Sequence, residues 1–374
     1  MILNRAIKMR IYPDDEQRHK IDVTLSHCRY IYNKMLERNT VIYNRRKEHL
    51  NYYAMQNLLP EMKNYLPWLK EADSQALKYS CRQLNAAFEK FFHKQGGYPR
   101  FHSKRGKQSY TTTNMSYVHI ERYKIKLPCL GWIRTSDKRI PDGKLCYATV
   151  SHDTDGQYYV SICYEKRVPD VETIKASEEK TIGLDYKSDG LFMDSNGHIE
   201  DMPHFYREAQ HKRTKLQRRL SKKHGSRKGE HKSMNFMKQL RKVNKQSTHI
   251  ANQRRDYLQK LSTEIANRYD AVCVEDLDMK AMSNKDFGNG KATMDNGYGM
   301  FLNMLAYKLT ERGKQLIMVD KWYPSSQLCH CCGHRQPMPL KIRVYQCPEC
   351  GMVFDRDWNA AINVKMEGLR LLSA

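Results

Sequence analysis

Long apolar runs are missing from this chain. No uninterrupted apolar stretch exceeds about four residues, whereas a helix that spans a bilayer needs about 20, so no membrane partner is expected. Acidic residues are also scarce relative to basic ones: Asp and Glu total 41 against 65 Lys and Arg, a net charge of +24. That excess is far more than solubility requires and points to a polyanion, nucleic acid ahead of lipid. The first residues, Met1 to Met9, lack the apolar segment of a secretory signal, so a reducing, cytoplasmic location is expected. In that setting the 11 cysteines are not expected to pair as disulfides. What is present suffices for a folded chain: 374 residues, 40% of them apolar, suggest two or three domains with their own cores.

Cysteines and charge are unevenly placed. Cys28, Cys81, Cys129, Cys146, Cys163 and Cys273 are scattered singly and read as small buried hydrophobes. Cys329, Cys331, Cys332, Cys347 and Cys350 fall within one short segment. Residues 207 to 260 concentrate the Lys and Arg, with only Glu208, Glu230 and Asp256 to oppose them. From Pro13 to Phe92 the apolar spacing is helical, as in Ile21, Leu25 and Cys28 or Leu77, Cys81, Leu84 and Phe88. After Gly96-Gly97-Tyr98-Pro99 the pattern changes to short strands at Tyr110–Thr113, Ile125–Leu127, Cys146–Val150 and Tyr158–Tyr164, which Ile7–Tyr12 is expected to join. A polar linker over 168–180 leads to strands at Thr181–Asp185, Leu191–Asp194 and Ile199–Met202. Long basic helices follow from Phe205 to Arg268, broken near Gly225–Gly229. Strands Ala271–Glu275 and Gln315–Val319, a helix near Met300–Arg312 and a last helix from Trp358 complete the reading.

Three acids stand at informative places. Ile182-Gly183-Leu184-Asp185 and Val272-Cys273-Val274-Glu275 each end an apolar strand on a carboxylate, and Asp357 opens the last helix. Gathered in space, they would repel one another unless hard divalent cations, Mg2+ or Mn2+, neutralised them. Two such ions polarise a phosphodiester and activate water. Taken singly, each acid also reads as a solvated strand end or helix cap. Asp189, Asp194, Asp276, Asp278 and Asp355 lie close enough in sequence to be confused with ligands.

Cys329-x-x-Cys332 and Cys347-x-x-Cys350 form two matched knuckles, each followed by glycine, Gly333 and Gly351. Two residues between thiolates let one turn aim both sulfurs at a single structural Zn2+. Cys331 falls outside the matched spacing.

Together these residues resemble the transposon-encoded TnpB (OrfB) family, RNA-guided DNA endonucleases related to the type V CRISPR effectors. The likeness runs from Arg10-Ile11-Tyr12-Pro13, Cys28-Arg29-Tyr30-Ile31-Tyr32-Asn33 and Gly97-Tyr98-Pro99-Arg100-Phe101-His102-Ser103-Lys104 to Gly183-Leu184-Asp185, Glu275-Asp276-Leu277 and Asp355-Arg356-Asp357-Trp358-Asn359-Ala360-Ala361. The resemblance implies an α+β, multidomain, bilobed fold: a wedge β-barrel over 1–12 and 96–167, and a helical recognition insert over 13–95. Beyond the linker at 168–180 come an RNase H-like RuvC nuclease domain over 181–324 and 353–374 and a zinc ribbon over 325–352. It implies catalytic, magnesium-binding positions at Asp185, Glu275 and Asp357, with Asp355 in reserve, and a guide RNA and a target DNA as partners. Lys187 departs from the family, which often has glycine there; a long basic side chain either crowds the phosphate or points away.

For a channel that follows the guide, the candidates are Arg218, Arg219, Lys222, Lys223, Arg227, Lys228, Arg241, Lys242 and Lys245. Arg100, Lys104, Arg105 and Lys107, in a Gly-rich basic turn, suit backbone phosphates. Gln75 and Tyr79, with Arg82 and Gln83, either touch the DNA motif beside the target, as similar helices of the family do, or are ordinary exposed helix residues. The guide, the motif and the oligomeric state are not written in the sequence. A repressor that binds without cutting and an accessory strand transferase are the alternatives. A tyrosine transposase of the HUH type is excluded, because no two of the 15 histidines are separated by one residue.

Overall fold

The computed structural model describes residues 2–104, 108–227, 229–284, 290–339 and 341–373. The chain divides into two compact units, Met1–Pro169 and Asp170–Ala374.

The first unit opens on β1 (Ile2–Tyr12), where Ile7, Met9 and Ile11 point inward and Lys8 and Arg10 outward at the two-residue period of a strand. The strand starts five residues before the expected Ile7, because all but its last residue pairs with β7 (Tyr158–Arg167), from Ile2 opposite Arg167 to Ile11 opposite Tyr158. Next comes α1 (Asp15–Arg46), begun by a capping box in which Asp14 and Gln17 exchange side-chain and backbone hydrogen bonds at 2.8 and 3.1 Å. The Gln17 amide also donates to the carbonyls of Leu130 and Trp132, fixing the helix start to β5 (Gly131–Thr135).

The helical stretch is not continuous. α2 (Tyr52–Asn57), α3 (Leu59–Tyr65) and a 3-10 turn (Pro67–Glu71) precede α4 (Ser74–Phe92), with Pro60 and Pro67 at the breaks. Asp73 caps α4 and also accepts the hydroxyl of Thr112 from β2 (Gln108–Thr112), so helix and sheet share one core.

The strands β3 (His119–Glu121), β4 (Lys124–Leu127) and β6 (Lys144–His152) complete a seven-stranded antiparallel sheet in the order β2-β6-β7-β1-β5-β4-β3. The resemblance implies a wedge β-barrel; among the described residues the hydrogen-bonded order runs from β2 at one end to β3 at the other. Two of the six singly placed cysteines are not buried as expected. Cys129 is exposed in the β4–β5 turn with φ +62°, and Cys146 is half-buried, because both stand where the chain turns or bulges.

The second unit is built on a five-stranded sheet in the order β10-β9-β8-β11-β12. Its members are β8 (Thr181–Tyr186), β9 (Phe192–Asp194), β10 (Ile199–Glu200), β11 (Ala271–Glu275) and β12 (Gln315–Val319). β8, β11 and β12 run parallel, while β9 and β10 are antiparallel additions on the outer edge of β8. Both faces of the parallel part are covered, which is why Ala271-Val272-Cys273-Val274 reads as a continuous apolar run. Val272 and Val274 face Phe301, Leu305 and Leu309 of α9 (Tyr298–Thr310) and Leu258 of α6 (Met234–Arg268). Cys273 faces the opposite way, onto Val364 of α10 (Arg356–Ser373).

α5 (Phe205–Ser221) packs against α6, tied by the Gln239 amide donating to the Leu216 carbonyl. Two short helices, α7 (Met279–Met282) and α8 (Gly290–Asn296), precede α9. Between β12 and α10 lies a small hairpin of β13 (Val344–Gln346) and β14 (Val353–Asp355). Of the expected linker, Val171 and Glu172 lie against Gly313, and the Ile174 N–H donates to the Gly313 carbonyl. Among the described residues, no helix is long and apolar enough to cross a membrane.

Candidate functional site

The parallel ladder pairs Val274 with Leu184, so the next residues, Glu275 and Asp185, stand side by side at the carboxyl ends of adjacent strands. That edge is where open parallel sheets place their ligands. α10 brings the third acid. It lies unusually close to the sheet because Gly183 has no side chain: a Cβ there would sit 2.2 Å from the Ala361 carbonyl oxygen. At the far end of the helix, a Cβ at Gly368 would meet the Cys273 sulfur at 2.1 Å. Asp357 is one turn before Ala361, and Asp185 two residues after Gly183.

Electrostatics show that the three carboxylates share one environment. Burial pushes the Asp185 carboxyl well above the usual range, and the charges of Glu275 and then Asp357 push it further, with the Arg356 guanidinium opposing. Burial also raises Glu275, against a hydrogen bond donated by the Ser325 hydroxyl to its Oε1. Tyr298, wholly buried, is raised first by burial and then by Asp185 and Glu275.

Asp357 is held by two cations, Arg356 at 3.0 Å and Arg343 at 3.6 Å. Asp355 is differently employed: its Oδ1 accepts the backbone N–H groups of Asp357 and Trp358 at 2.9 and 3.0 Å, capping α10. The aliphatic stem of Lys187 lies along the turn, 3.7 Å from where a Cβ at Gly190 would stand. Asp194 caps the β9–β10 turn through the N–H groups of Asn196 and His198, and Asp278 caps α7.

Cys329, Cys332, Cys347 and Cys350 converge, with all four sulfurs within 4.8 Å of one another. Two of the separations are 3.6 Å, for Cys329–Cys350, and 3.5 Å, for Cys332–Cys347. A tetrahedron of thiolates about 2.3 Å from zinc has edges of about 3.8 Å, so the donor set fits a structural Zn2+. Gly333 and Gly351, at φ +76° and +74°, close the two knuckles with N–H bonds to the Cys329 and Cys347 carbonyls. Backbone N–H groups, first that of Cys350, draw the Cys347 thiol down toward thiolate. Cys331 is exposed and outside the tetrad. Among the described residues these thiols are the one set of three or more His, Cys, Asp or Glu side chains close enough to share an ion; the carboxylates interact without gathering so tightly.

The thiol cluster and the acids are joined through α10 by Asn359, quoted above only as part of a motif, and by Asn363, which the sequence reading does not single out. Asn359, fully buried, accepts from the His330 backbone N–H at 3.0 Å and donates to the Leu328 carbonyl at 2.7 Å. Asn363, one turn on, donates to the carbonyls of Ser325 and Leu328. Ser325 in turn holds Glu275. The i,i+4 spacing of two asparagines in Asn359-Ala360-Ala361-Ile362-Asn363 is the signal that was available.

Residues 161–286 match the family described as "Probable transposase", and residues 298–364 the one described as "Cas12f1-like, TNB domain". Residues 1–48 match a family described as "Helix-turn-helix domain", although that stretch holds one strand and one long helix here. A Streptomyces pristinaespiralis protein named "Putative RNA-guided DNA endonuclease" is 33% identical over 98% of this chain and 90% of its own length. The chain belongs to the TnpB (OrfB) family. An Escherichia coli K12 relative, "Putative RNA-guided DNA endonuclease InsQ", is 29% identical over 99% of this chain and 93% of its own. A Cas12f1 chain solved by cryo-EM in a complex with sgRNA and target DNA shares the fold at TM-score 0.57 and 14% identity, covering 97% of this chain and 99% of that one.

In this TnpB-family chain the basic candidates sit on exposed surface. Arg218, Arg219, Lys222, Lys223, Arg227, Arg241, Lys242 and Lys245 are exposed, and among the described residues none of them forms an ion pair. Arg218, Arg219 and Lys222 continue a face of α5 through Arg207, His211 and Lys215, which lines an open groove of about 700 Å³. Lys228, Arg105 and Lys107 lie outside the described residues.

Arg100 and Lys104 are exposed on a loop fastened to α1. Asn33 exchanges two hydrogen bonds with the His102 backbone, at 2.8 and 2.9 Å, and the His102 ring stacks on Tyr32. Gln75 and Tyr79 are half-buried on α4, and the Tyr79 ring stands 6.3 Å from that of Tyr147.

Proposed function

We propose that the chain is an RNA-guided, metal-dependent DNA endonuclease of a transposable element, cutting with Asp185, Glu275 and Asp357. One observation carries the reading: adjacent parallel strand ends set Asp185 beside Glu275, in a sheet ordered 3-2-1-4-5 by its own strands, with Asp357 coming from the helix packed on it. That order, three antiparallel strands followed by two parallel ones, supports an RNase H-like, RuvC-type domain over 181–324 and 353–374. The ribbon, 325–352, is the insertion built on the four thiols. In the first unit, the sheet is assigned as the wedge and residues 13–95 as the recognition insert.

The donor type suits hard divalent ions, since the Asp185 carboxylate, disfavoured by burial and by the Glu275 and Asp357 charges, would be relieved by a cation. Two Mg2+ or Mn2+ ions there supply Lewis acidity toward the scissile phosphate and a more acidic water. The protein's own work is positional. Ser325 orients Glu275, Asp355 fixes the turn that presents Asp357, and Arg356 and Arg343 hold the Asp357 oxygens while adding positive charge near a phosphate. The exposed faces of α5 and α6 and the loop around Arg100 supply charge for the guide and the target, while base pairing reads sequence. The four-thiolate site holds the ribbon together, and Asn359 and Asn363 pass its position to α10.

The test is co-expression with the native flanking DNA, sequencing of the RNA that copurifies, and incubation with a matching target. Mg2+-dependent breaks that vanish in Glu275→Ala are expected. Stable target binding by the RNA complex without breaks, over all candidate adjacent motifs, would overturn the nuclease reading and leave a binding protein.

A further inference from the structure

Trp322 is 80% exposed. Tryptophan is highly buried on average, so an indole left in solvent needs a reason. Looseness is not the reason. The Asp320 carboxylate accepts the Trp322 backbone N–H at 2.7 Å, and the Asp320 carbonyl accepts that of Tyr323 at 2.9 Å. Tyr323 then turns inward onto the small core of Cys273, Val319 and Val364, and the Ser325 N–H donates to its carbonyl at 2.8 Å. With the backbone tied at Asp320, Trp322 and Tyr323, the exposed indole springs from an anchored turn.

Its place is bounded from two sides. Val319, three residues before, is the ladder partner of Glu275, and Ser325, three residues after, donates its hydroxyl to the Glu275 carboxylate. Three residues reach at most about 10 Å, so the Trp322 backbone lies within about 10 Å of both anchors. The Lys321 ammonium stands 5.2 Å from the indole centroid. An indole 80% exposed, with a cation over its ring and close to the acid-lined strand ends, suits an unpaired base followed by its phosphate on the ring's open side. A base inside a duplex is already stacked on both faces and offers none.

We propose that Trp322 is a stacking platform for an unpaired nucleobase of the strand presented to Asp185, Glu275 and Asp357, a few nucleotides from the bond to be cut. This rests on the nuclease reading above. Trp322 is then a positioning residue: it fixes where the phosphate falls relative to the carboxylates and takes no part in the bond exchange.

The experiment uses the full chain with its copurified RNA and a matched target carrying 2-aminopurine at successive positions around the cut. In a Glu275→Gln background, which binds without cutting, one position is expected to lose fluorescence by stacking. Trp322→Ala should restore that signal, and Trp322→Phe should keep it quenched. With Glu275 intact, Trp322→Ala should slow single-turnover cutting by about 5- to 150-fold, the range that one base–aromatic stack corresponds to, and Trp322→Phe should recover most of it. Trp322→Ala with an unchanged fluorescence pattern and rate overturns the proposal, as does Trp322→Phe as impaired as Ala. The fluorescence arm needs no cleavage, so an inert wild type would count against the nuclease reading and leave the platform separately decided.

Discussion

Adding a single methyl group at Gly183 should damage catalysis more than it damages the fold. A Cβ there would meet the Ala361 carbonyl oxygen at 2.2 Å, the Lys365 nitrogen at 2.7 Å and the Lys365 Cβ at 2.9 Å. Two of the three are backbone atoms of α10, which cannot rotate aside, so the helix must lift by about 1 Å to restore ordinary contact. Overpacking of this kind costs about 1 to 3 kcal/mol of stability. Asp357 is one turn from the point of contact and would move with the helix, and a shift of about 1 Å in a reacting geometry costs roughly 100-fold in rate. Single-turnover cleavage by the RNA complex, read beside melting temperature and zinc content, should therefore show Gly183→Ala folded, zinc-loaded and slower by about two orders of magnitude. Gly368→Ala provides the contrast: its clash is with the Cys273 side chain, three helical turns from Asp357. It should destabilise comparably, retain more activity and recover part of its stability in the Gly368→Ala/Cys273→Ala double variant, which removes the sulfur but leaves the Cβ of residue 273 at 2.7 Å. Gly183→Ala cutting at the wild-type rate would refute the idea that close seating of α10 sets the position of Asp357.

Other expectations rest on the same geometry. Asp185 has a folded-state pKa raised by burial and by Glu275 and Asp357, so it binds a proton more readily folded than unfolded. Metal-free stability therefore falls as pH rises from the ordinary aspartate range toward the raised value, and levels off only above it. Asp185→Asn should accordingly raise the melting temperature of metal-free protein near pH 7, and saturating Mg2+ should remove that advantage; an unchanged or lower melting temperature would contradict it. Reversing Arg218, Arg219 and Lys222 to Glu should reduce the slope of log K against log salt for RNA binding by roughly 2 to 3, since each lost phosphate contact removes about 0.7 to 0.9. An unaltered slope would place the RNA elsewhere. Cys347→Ala should release the zinc, measured by elemental analysis, and slow cleavage through the path from Leu328 and Ser325 to Asn363; full activity without zinc would contradict a structural ribbon.

Much of the second unit was legible in the sequence because its strands are short, apolar and sharply bounded. Ala271–Glu275 and Gln315–Val319 agree to the residue with β11 and β12, the first opening after Asp270 and the second closing at Asp320. The first unit was less so. β5 was passed over because Gly131 and Pro128 disguise a strand whose Ile133 and Thr135 alternate inward. The start of β1 was missed because Leu3 to Ala6 are held mainly by pairing with a strand more than 150 residues away.

At the site, the acids and thiols stand out by residue type and spacing. Their supports do not: Ser325 reaches Glu275 across 50 residues, and Arg343 reaches Asp357 across a hairpin. Such contacts are set by the fold and leave no local pattern. Asp357 is ranked ahead of Asp355 by the family resemblance alone. In the fold, Asp355 is engaged as the cap of α10.

The central claim concerns the metal, and Mn2+ can be counted directly. Electron paramagnetic resonance of the full chain titrated with Mn2+ should reveal two bound ions per active site, with binding weakened in Asp185→Asn, Glu275→Gln and Asp357→Asn and abolished when all three are combined. A triple variant that keeps the wild-type number of ions at unchanged affinity would contradict the claim that these carboxylates form the metal site.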